Sequence, residues 1–255
     1  MPEGPDILWC ATYYKNKLLG KYVTLFDNNA SKEKCSELIS GKVVDVDCKG
    51  KYWWISLENH TICIHFYLNG WVYDDVDTQK FIKYTLTYDE NSHVYFVDKT
   101  NRMLISIDDA QFNKSVNKLG MSIYDDNFTL DVFNKHIKSK KCMLTNYLLD
   151  QHNFSGIGNY IKNEVMYLSN LKIKIKTNEL SDKDIKNLYD NIMFVAYSKY
   201  AILAKDLVNK WISKDTPVDL NYEFKIYKRK YTDENEKVIK LKIGGRDTYT
   251  IEKYL

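Results

Sequence analysis

The second residue carries the most distinctive chemistry in the chain. Removal of Met1 leaves Pro2 with a free secondary amine. An α-amino group titrates near about 7.7–8.0, so a useful fraction is neutral at physiological pH. A neutral secondary amine can attack an electrophilic carbon and form a cationic iminium. That cation is an electron sink, which acidifies the proton on the neighbouring carbon and permits elimination beyond it. Glu3 follows directly and can trade protons with the reacting groups. Taken alone, Met-Pro-Glu is far more often just the start of a chain.

Other groups could hold an anionic, base-bearing polymer. Lys51, after Gly50, can supply positive charge to a phosphate, or be a plain surface lysine. His65 in an apolar strand can contact a phosphate, or be a satisfied core histidine. Tyr67 and Leu68 follow it, and Leu68 can fill a gap in a base stack or end a strand in the core. Gly156-Ile157-Gly158-Asn159 allows a tight turn whose backbone N–H groups open the next helix. Such a turn suits a phosphate, with Asn159 adding an amide donor, and it also suits an ordinary interhelical connection. Arg246 beside Gly245 can fork onto two phosphate oxygens, or stay a solvated turn residue.

In order, these stations resemble the formamidopyrimidine-DNA glycosylase / endonuclease VIII family. Met-Pro-Glu-Gly-Pro-Asp-Ile matches the family's start. Lys49-Gly50-Lys51-Tyr52 resembles its hairpin with a catalytic lysine at Lys51. His65 through Gly70 resembles the segment with a phosphate-contacting histidine and a void-filling side chain, here Leu68 with Tyr67 beside it. Leu149-Asp150-Gln151, Gly156 to Asn159 and Glu164 resemble the helix–two-turn–helix; Phe224–Arg229 and Gly245–Thr248 resemble the finger hairpin. The resemblance implies a bifunctional DNA glycosylase/AP lyase of base excision repair. It would excise an oxidised base, hold the sugar as an imine on Pro2 and cleave the strand by β,δ-elimination, with Pro2, Glu3 and Lys51 catalytic and His65, Tyr67, Leu68, Gly158, Asn159 and Arg246 on the DNA. No metal or organic cofactor is expected, and the partner is damaged DNA, duplex or single-stranded. A non-catalytic DNA binder would not need Pro2, Glu3 and Lys51 together, and tautomerases that use an N-terminal proline are much shorter chains.

Three departures narrow the expectation. Where zinc-bearing members carry two Cys-x-x-Cys pairs, this chain has Glu234, Lys237, Ile251 and Tyr254. Lysine and isoleucine are not zinc ligands, which predicts a zincless finger. The segment Asp98-Lys99-Thr100-Asn101-Arg102-Met103 lacks the arginine and phenylalanine of the 8-oxoguanine branch at their positions. The Gly-rich stretch before the finger is missing as well. These points favour the endonuclease VIII-like branch and oxidised pyrimidines, with ring-opened purines as a further class.

The elements that must position these groups follow from periodicity. Residues 6–19 read as a helix, with Ile7, Leu8, Ala11, Tyr14, Leu18 and Leu19 near one face and Gly20 as its stop. Short β-branched and aromatic runs follow at 43–47, 52–57, 61–66, 81–88, 94–97 and 103–107, which predicts a β-sandwich of roughly 100 residues. Helical spacing returns at 129–138, 142–150, 160–168 and 182 to about 210, the last opened by a Ser181/Asp184 capping box. Alternation at Phe224 and Ile226 and again from Val238 to Ile243 predicts a hairpin around Asp233-Glu234-Asn235. The expected class is α+β: an N-terminal β-sandwich with a leading helix over 1–120, and a C-terminal DNA-binding domain over 121–255. The helix–two-turn–helix falls at about 140–170 and the finger at about 222–255.

Composition sets outer bounds. The 255 residues, 44% hydrophobic and 28% charged, suit a folded protein and argue against disorder. Net charge is only +3, so the bulk charge does not demand a nucleic acid. Lysines do cluster beside Tyr and Asn at 49–51, 138–141 and 225–230, a pattern that can bind a phosphate backbone or be ordinary surface. Cys10, Cys35, Cys48, Cys63 and Cys142 form no Cys-x-x-Cys pair and read as reduced thiols. No signal or membrane-spanning pattern is visible, so an intracellular, soluble monomer is expected.

Overall fold

The computed structural model describes residues 2–28, 36–76, 81–205 and 217–255. Met1, Cys35 and 206–210, which the periodicity assigned to the long helix, lie outside the described residues. Contacts divide the chain into two compact units: Pro2 with Asp6–Lys118, and Glu3–Pro5 with Leu119–Leu255.

Most of α1 (Gly4–Leu18) belongs to the first unit. Ile7, Cys10, Ala11, Tyr14 and Leu18 fall on its buried face at three- and four-residue spacing. Gly20, at φ +79°, turns the chain out of the helix. Eight antiparallel strands follow, in two layers that share one long strand. The first layer runs β5 (Gly70–Tyr73), β7 (Ser92–Asp98), β6 (Ile82–Tyr88), β1 (Tyr22–Asp27) and β2 (Ser36–Lys49). The second runs β2, β3 (Tyr52–Leu57), β4 (Thr61–His65) and β8 (Leu104–Ser106). One half of β2 pairs with β1 and the other with β3, and the register shifts between Val43 and Asp45 where it passes from one layer to the other. Alternation does the sorting: Trp53, Ile55 and Leu57 of β3 face the core while Tyr52, Trp54 and Ser56 do not. With Val23, Leu25, Phe66 and Phe96 these side chains pack on α1, each large one contributing about 1.5–3 kcal/mol. After β8 comes α2 (Asp109–Val116), a helix that the periodicity did not predict, capped by the Asp108 carboxylate.

The second unit is helical. Its elements are β9 (Met121–Ser122), α3 (Leu130–Lys138), α4 (Leu144–Leu149), β10 (Phe154–Ser155), α5 (Asn159–Leu168), α6 (Asp182–Leu203), β11 (Ile239–Ile243) and β12 (Arg246–Thr250). Thr129 caps α3, and the Ser181/Asp184 box opens α6. Phe133, Leu148, Ile161, Val165, Leu188 and Ile192 form the core of this unit.

The hairpin expected around Asp233-Glu234-Asn235 forms elsewhere. β11 and β12 pair with Ile243 opposite Arg246, and Gly244 (φ +57°) and Gly245 (φ +75°) make the turn. Two successive positive φ angles suit a type I′ turn, whose twist matches that of the paired strands, and only glycine adopts them without strain. Asp233–Asn235 instead close a small loop bridged at Tyr231 and Lys237.

Candidate active site

In the first unit, two loop tips and the chain start carry the candidate groups. Gly50, at φ +61°, occupies the first position of a two-residue turn between Lys49 and Tyr52, and so puts Lys51 at the hairpin tip. Between β4 and β5 the chain folds back on itself, with Gly70 N–H donating to Phe66 O at 3.1 Å. A Cβ on Gly70 would lie 2.8 Å from that oxygen, so the loop requires glycine there. Its tip shows Tyr67 (46% exposed) in left-handed backbone at φ 53° and Leu68 (37% exposed). Leu68 is therefore not a buried strand end. Displaying two large side chains at one tip, with Tyr67 held in backbone that disfavours it, fits a working loop better than a core contact. Pro2, Asp6, Leu68, Asn69, Gly70 and Trp71 line one open cleft of about 410 Å³.

His65 stands at the root of the same loop, between the rings of Tyr52 and Tyr67 at 4.4 Å from each. The Tyr67 backbone N–H donates to its Nδ1 at 3.1 Å. That bond puts the ring proton on Nε2 and leaves a neutral imidazole with one outward donor. Burial, reinforced by the Lys51 charge, pushes its pKa down to about 4.

In the second unit the start of the chain is pinned. Glu3 is fully buried. Its carboxylate accepts from the backbone N–H groups of Tyr160 (2.7 Å) and Ile161 (3.2 Å), in the first turn of α5. This is an N-cap supplied from a distant part of the chain, with the helix dipole favouring the negative charge. A Cβ on Gly158 would sit 2.2 Å from the Glu3 Cδ, so Gly158 is glycine for space, not conformation. Gly4 N–H donates to Gly156 O at 2.9 Å, and a Cβ on Gly4 would also strike that oxygen. Gln151 holds the turn from within: its side-chain amide donates to Ile157 O and accepts from Gly156 N–H.

Residues 159–166 of α5 are all buried, yet Asn159, Lys162, Asn163 and Glu164 are polar. Each is spoken for. Glu164 accepts backbone N–H bonds from Lys225 (2.7 Å), Ile226 (3.0 Å) and Tyr227 (2.7 Å) as well as the Tyr222 hydroxyl, and so shapes the loop before the hairpin. Lys162, fully buried, donates to Asn159 Oδ1 (3.1 Å), Asp247 O (3.3 Å) and Thr248 Oγ1 (2.9 Å). Asn163 donates to Asp247 O and accepts from Tyr249 N–H at 2.8 Å. Burial drives Lys162 down to about 8, with Glu3 and Asp247 opposing the shift. The exposed Arg246 begins the strand these bonds hold, and half-buried Tyr227 turns its hydroxyl toward Asn159.

Asn159, Gly158 and Arg246 thus share one polar assembly within the second unit, and Pro2, Leu68 and Tyr67 share the loop region of the first. Sequence reasoning missed Lys162, Asn163, Tyr227, Asp6 and Trp71. The spacing of Asn159, Lys162 and Asn163 on one helix face was a usable signal for two of them. It also missed the role of Asp98, whose buried carboxylate accepts from Thr100 N, Thr100 Oγ1, Arg102 N and Met103 N. Although burial raises its pKa, those bonds outweigh it and hold the group below the usual carboxylate range.

Comparison with known proteins bears on family and fold. Residues 1–103 match the formamidopyrimidine-DNA glycosylase N-terminal domain, and residues 119–205 match the formamidopyrimidine-DNA glycosylase H2TH domain. The formamidopyrimidine-DNA glycosylase of Rickettsia peacockii (strain Rustic) is 25% identical over 277 residues, covering 98% of this chain and 97% of its own length. That of Mycoplasma pneumoniae is 25% identical over 281 residues, covering 99% and 98%. The Lactococcus lactis formamidopyrimidine-DNA glycosylase bound to DNA containing an AP site superposes with a TM-score of 0.75 at 16% identity, over 98% of this chain and 97% of that one. MutM in complex with DNA containing carbocyclic 8-oxo-G gives 0.75 at 18% identity, over 98% of each chain.

Proposed function

The chain belongs to the formamidopyrimidine-DNA glycosylase / endonuclease VIII family and is a DNA glycosylase of base excision repair; on that premise we propose that it is also an AP lyase whose nucleophile is the Pro2 amine. The amine nitrogen bonds to C1′ of the damaged nucleotide as the glycosidic bond breaks, and the base leaves with a proton. The C1′–O4′ bond then opens, with O4′ taking up a proton, to give the ring-opened iminium; this acidifies C2′, loss of that proton expels the 3′ phosphate, and a second elimination expels the 5′ phosphate. Lys51 supplies positive charge, and Glu3 moves protons at the sugar. His65 through its Nε2–H, Asn159, the Gly158 turn and Arg246 contact phosphates, while Leu68 with Tyr67 fills the gap left by the extruded nucleotide.

One observation carries this reading: the start of the chain is not a loose tail. Glu3 is buried and held by two N–H groups of α5, and Gly158 has room for nothing but that carboxylate. In the first unit, Pro2 lines the same open cleft as Leu68, Asn69 and Gly70. The test is single-turnover cleavage of a duplex with one abasic site. Pro2→Gly, after Met1 removal, is expected to cleave at least about 100-fold more slowly while binding within about threefold of the parent. Unchanged cleavage would remove the assignment.

The proposed substrate order puts oxidised pyrimidines first and ring-opened purines second. The loop that Asp98 organises offers Lys99, Thr100, Asn101 and Arg102, without the arginine–phenylalanine pair of the 8-oxoguanine branch. The finger is proposed to hold without zinc. Ile251 and Tyr254, at two of the four ligand positions, are buried against Ile226, and a hydrocarbon side chain does not ligate a metal. The protein is proposed to act as a monomer on duplex or single-stranded DNA. No helix among the described residues is long and apolar enough to cross a membrane.

A further inference from the structure

A buried lysine with no part in the chemistry needs a reason. Lys162 lies in α5 with no exposed surface and donates three hydrogen bonds, all to groups of the second unit. Burying an ammonium is costly, and an apolar residue of similar size would commonly hold a helix to a hairpin as well or better. The partners suggest what the charge does. A lysine can only donate, so the Asn159 atom it meets at 3.1 Å must be the amide oxygen. The amide NH2 of Asn159 is then its donor end, one hydrogen of which meets the Tyr227 hydroxyl. The same ammonium meets Asp247 O and Thr248 Oγ1, which directly follow Arg246 in β12. Asn163, one residue on, repeats the tie: its amide donates to Asn159 O (2.7 Å) and Asp247 O (3.3 Å).

We infer that Lys162 is a positioning residue for phosphate binding, which takes the oxygen end of the Asn159 amide, leaving its NH2 as the donor, and locks the Arg246 strand to the first turn of α5, so that both side chains meet the phosphate backbone as one preformed unit. This rests on the proposed roles of Asn159 and Arg246 as phosphate ligands. The groups that face Lys162 are Glu3 from the chain start, Asn159 and Asn163 from its own helix, and Arg246, Asp247 and Thr248 from the hairpin. Two phosphate ligands on two separate elements gain from such a lock, because it removes the cost of ordering one element against the other on binding.

The experiment is a mutant cycle read as Kd for a duplex carrying one tetrahydrofuran abasic-site analogue. Lys162→Met is expected to weaken binding about tenfold, and Lys162→Arg, which keeps a donor-only cation, to stay within about threefold of the parent. In a background lacking both ligands, Asn159→Ala/Arg246→Ala, adding Lys162→Met is expected to change Kd by less than about twofold, since nothing remains to position. A full tenfold loss in that background would show a merely structural lysine and overturn the inference, as would an unchanged Kd for Lys162→Met alone. Should Lys162→Met fail to fold, Thr248→Val removes one of its three acceptors with little change of shape, and carries the same cycle with a smaller expected loss. If Asn159→Ala/Arg246→Ala binds like the parent, the phosphate reading falls and the positioning role with it. If that double variant binds weakly but the cycle is additive, the positioning role alone falls.

Discussion

The two units present their candidate groups in opposite ways. In the first, the groups stand at tips and edges: half-buried Lys51 on a two-residue turn, exposed Tyr67, in left-handed backbone, with Leu68 on a loop, and Pro2 at an open cleft. In the second they are sunk into a bonded polar assembly, where Glu3, Asn159, Lys162, Asn163 and Glu164 are all buried and Arg246 is exposed. The difference tracks the work proposed for each. A side chain that must enter a base stack, or an amine that must form a bond, needs access. Groups that hold a phosphate backbone in register need rigidity, and rigidity comes from paying desolvation once and satisfying every donor and acceptor afterward. Substitutions in the first unit should therefore change steps of the reaction one at a time, and those in the second should disturb several together.

After Pro2→Gly, the largest expected effect belongs to the second unit. Gly158→Ala drives a methyl group into the Glu3 carboxylate, whose Cδ lies 2.2 Å from where that Cβ would be. Glu3 must leave the α5 N-terminus, and excision and strand cleavage are both expected to fall about 30-fold or more, with a lowered melting temperature. Activity equal to the parent would show that Glu3 needs no such anchoring. Next, Arg246→Ala is expected to weaken binding about tenfold on damaged and undamaged duplexes alike, and to flatten the dependence of log Kd on log salt by about one charge. A loss confined to damaged DNA would break the assignment. A first-unit substitution should behave differently: Leu68→Ala is expected to slow removal of a base-paired thymine glycol about fivefold while sparing cleavage at an abasic site, where less unstacking is needed. Equal slowing on both substrates would erase the proposed division of labour.

The smallest effect is a pH slope. Unfolded His65 takes up its proton near pH 6.5, and the folded one only near pH 4. Between those values the unfolded chain binds more protons, so this group lowers stability as pH falls through that window. His65→Gln is expected to lose less melting temperature than the parent between pH 6.5 and pH 4.5. An identical slope would mean that His65 is not held neutral in the folded chain.

Legibility in the sequence followed the same division. Pro2, Gly156 and Arg246 stand out in the sequence because each has a local signal, a terminus or a turn, whereas Gly158, which reads as a turn glycine, is glycine because Glu3 from the start of the chain occupies the space beside it. α1 and α6 could be read from their apolar spacing and, for α6, its capping box. Lys162 could not be singled out in a chain with 37 lysines and arginines, because its burial depends on a hairpin more than 80 residues later. The hairpin was misplaced because Asp233-Glu234-Asn235 has turn chemistry too. Two consecutive glycines are the stronger turn signal, and Gly244-Gly245 decided the register. Asp98 was read for the residues its segment lacks, while its role is to gather the N–H groups of the loop that follows.

The most direct test of the central claim is borohydride trapping. The Met1-processed protein is incubated with a duplex carrying one abasic site, reduced with borohydride, and the covalent complex mapped by mass. The account predicts a single crosslink at Pro2, lost when the terminal amine is blocked. A crosslink on a lysine instead, or none despite intact DNA binding, would contradict it.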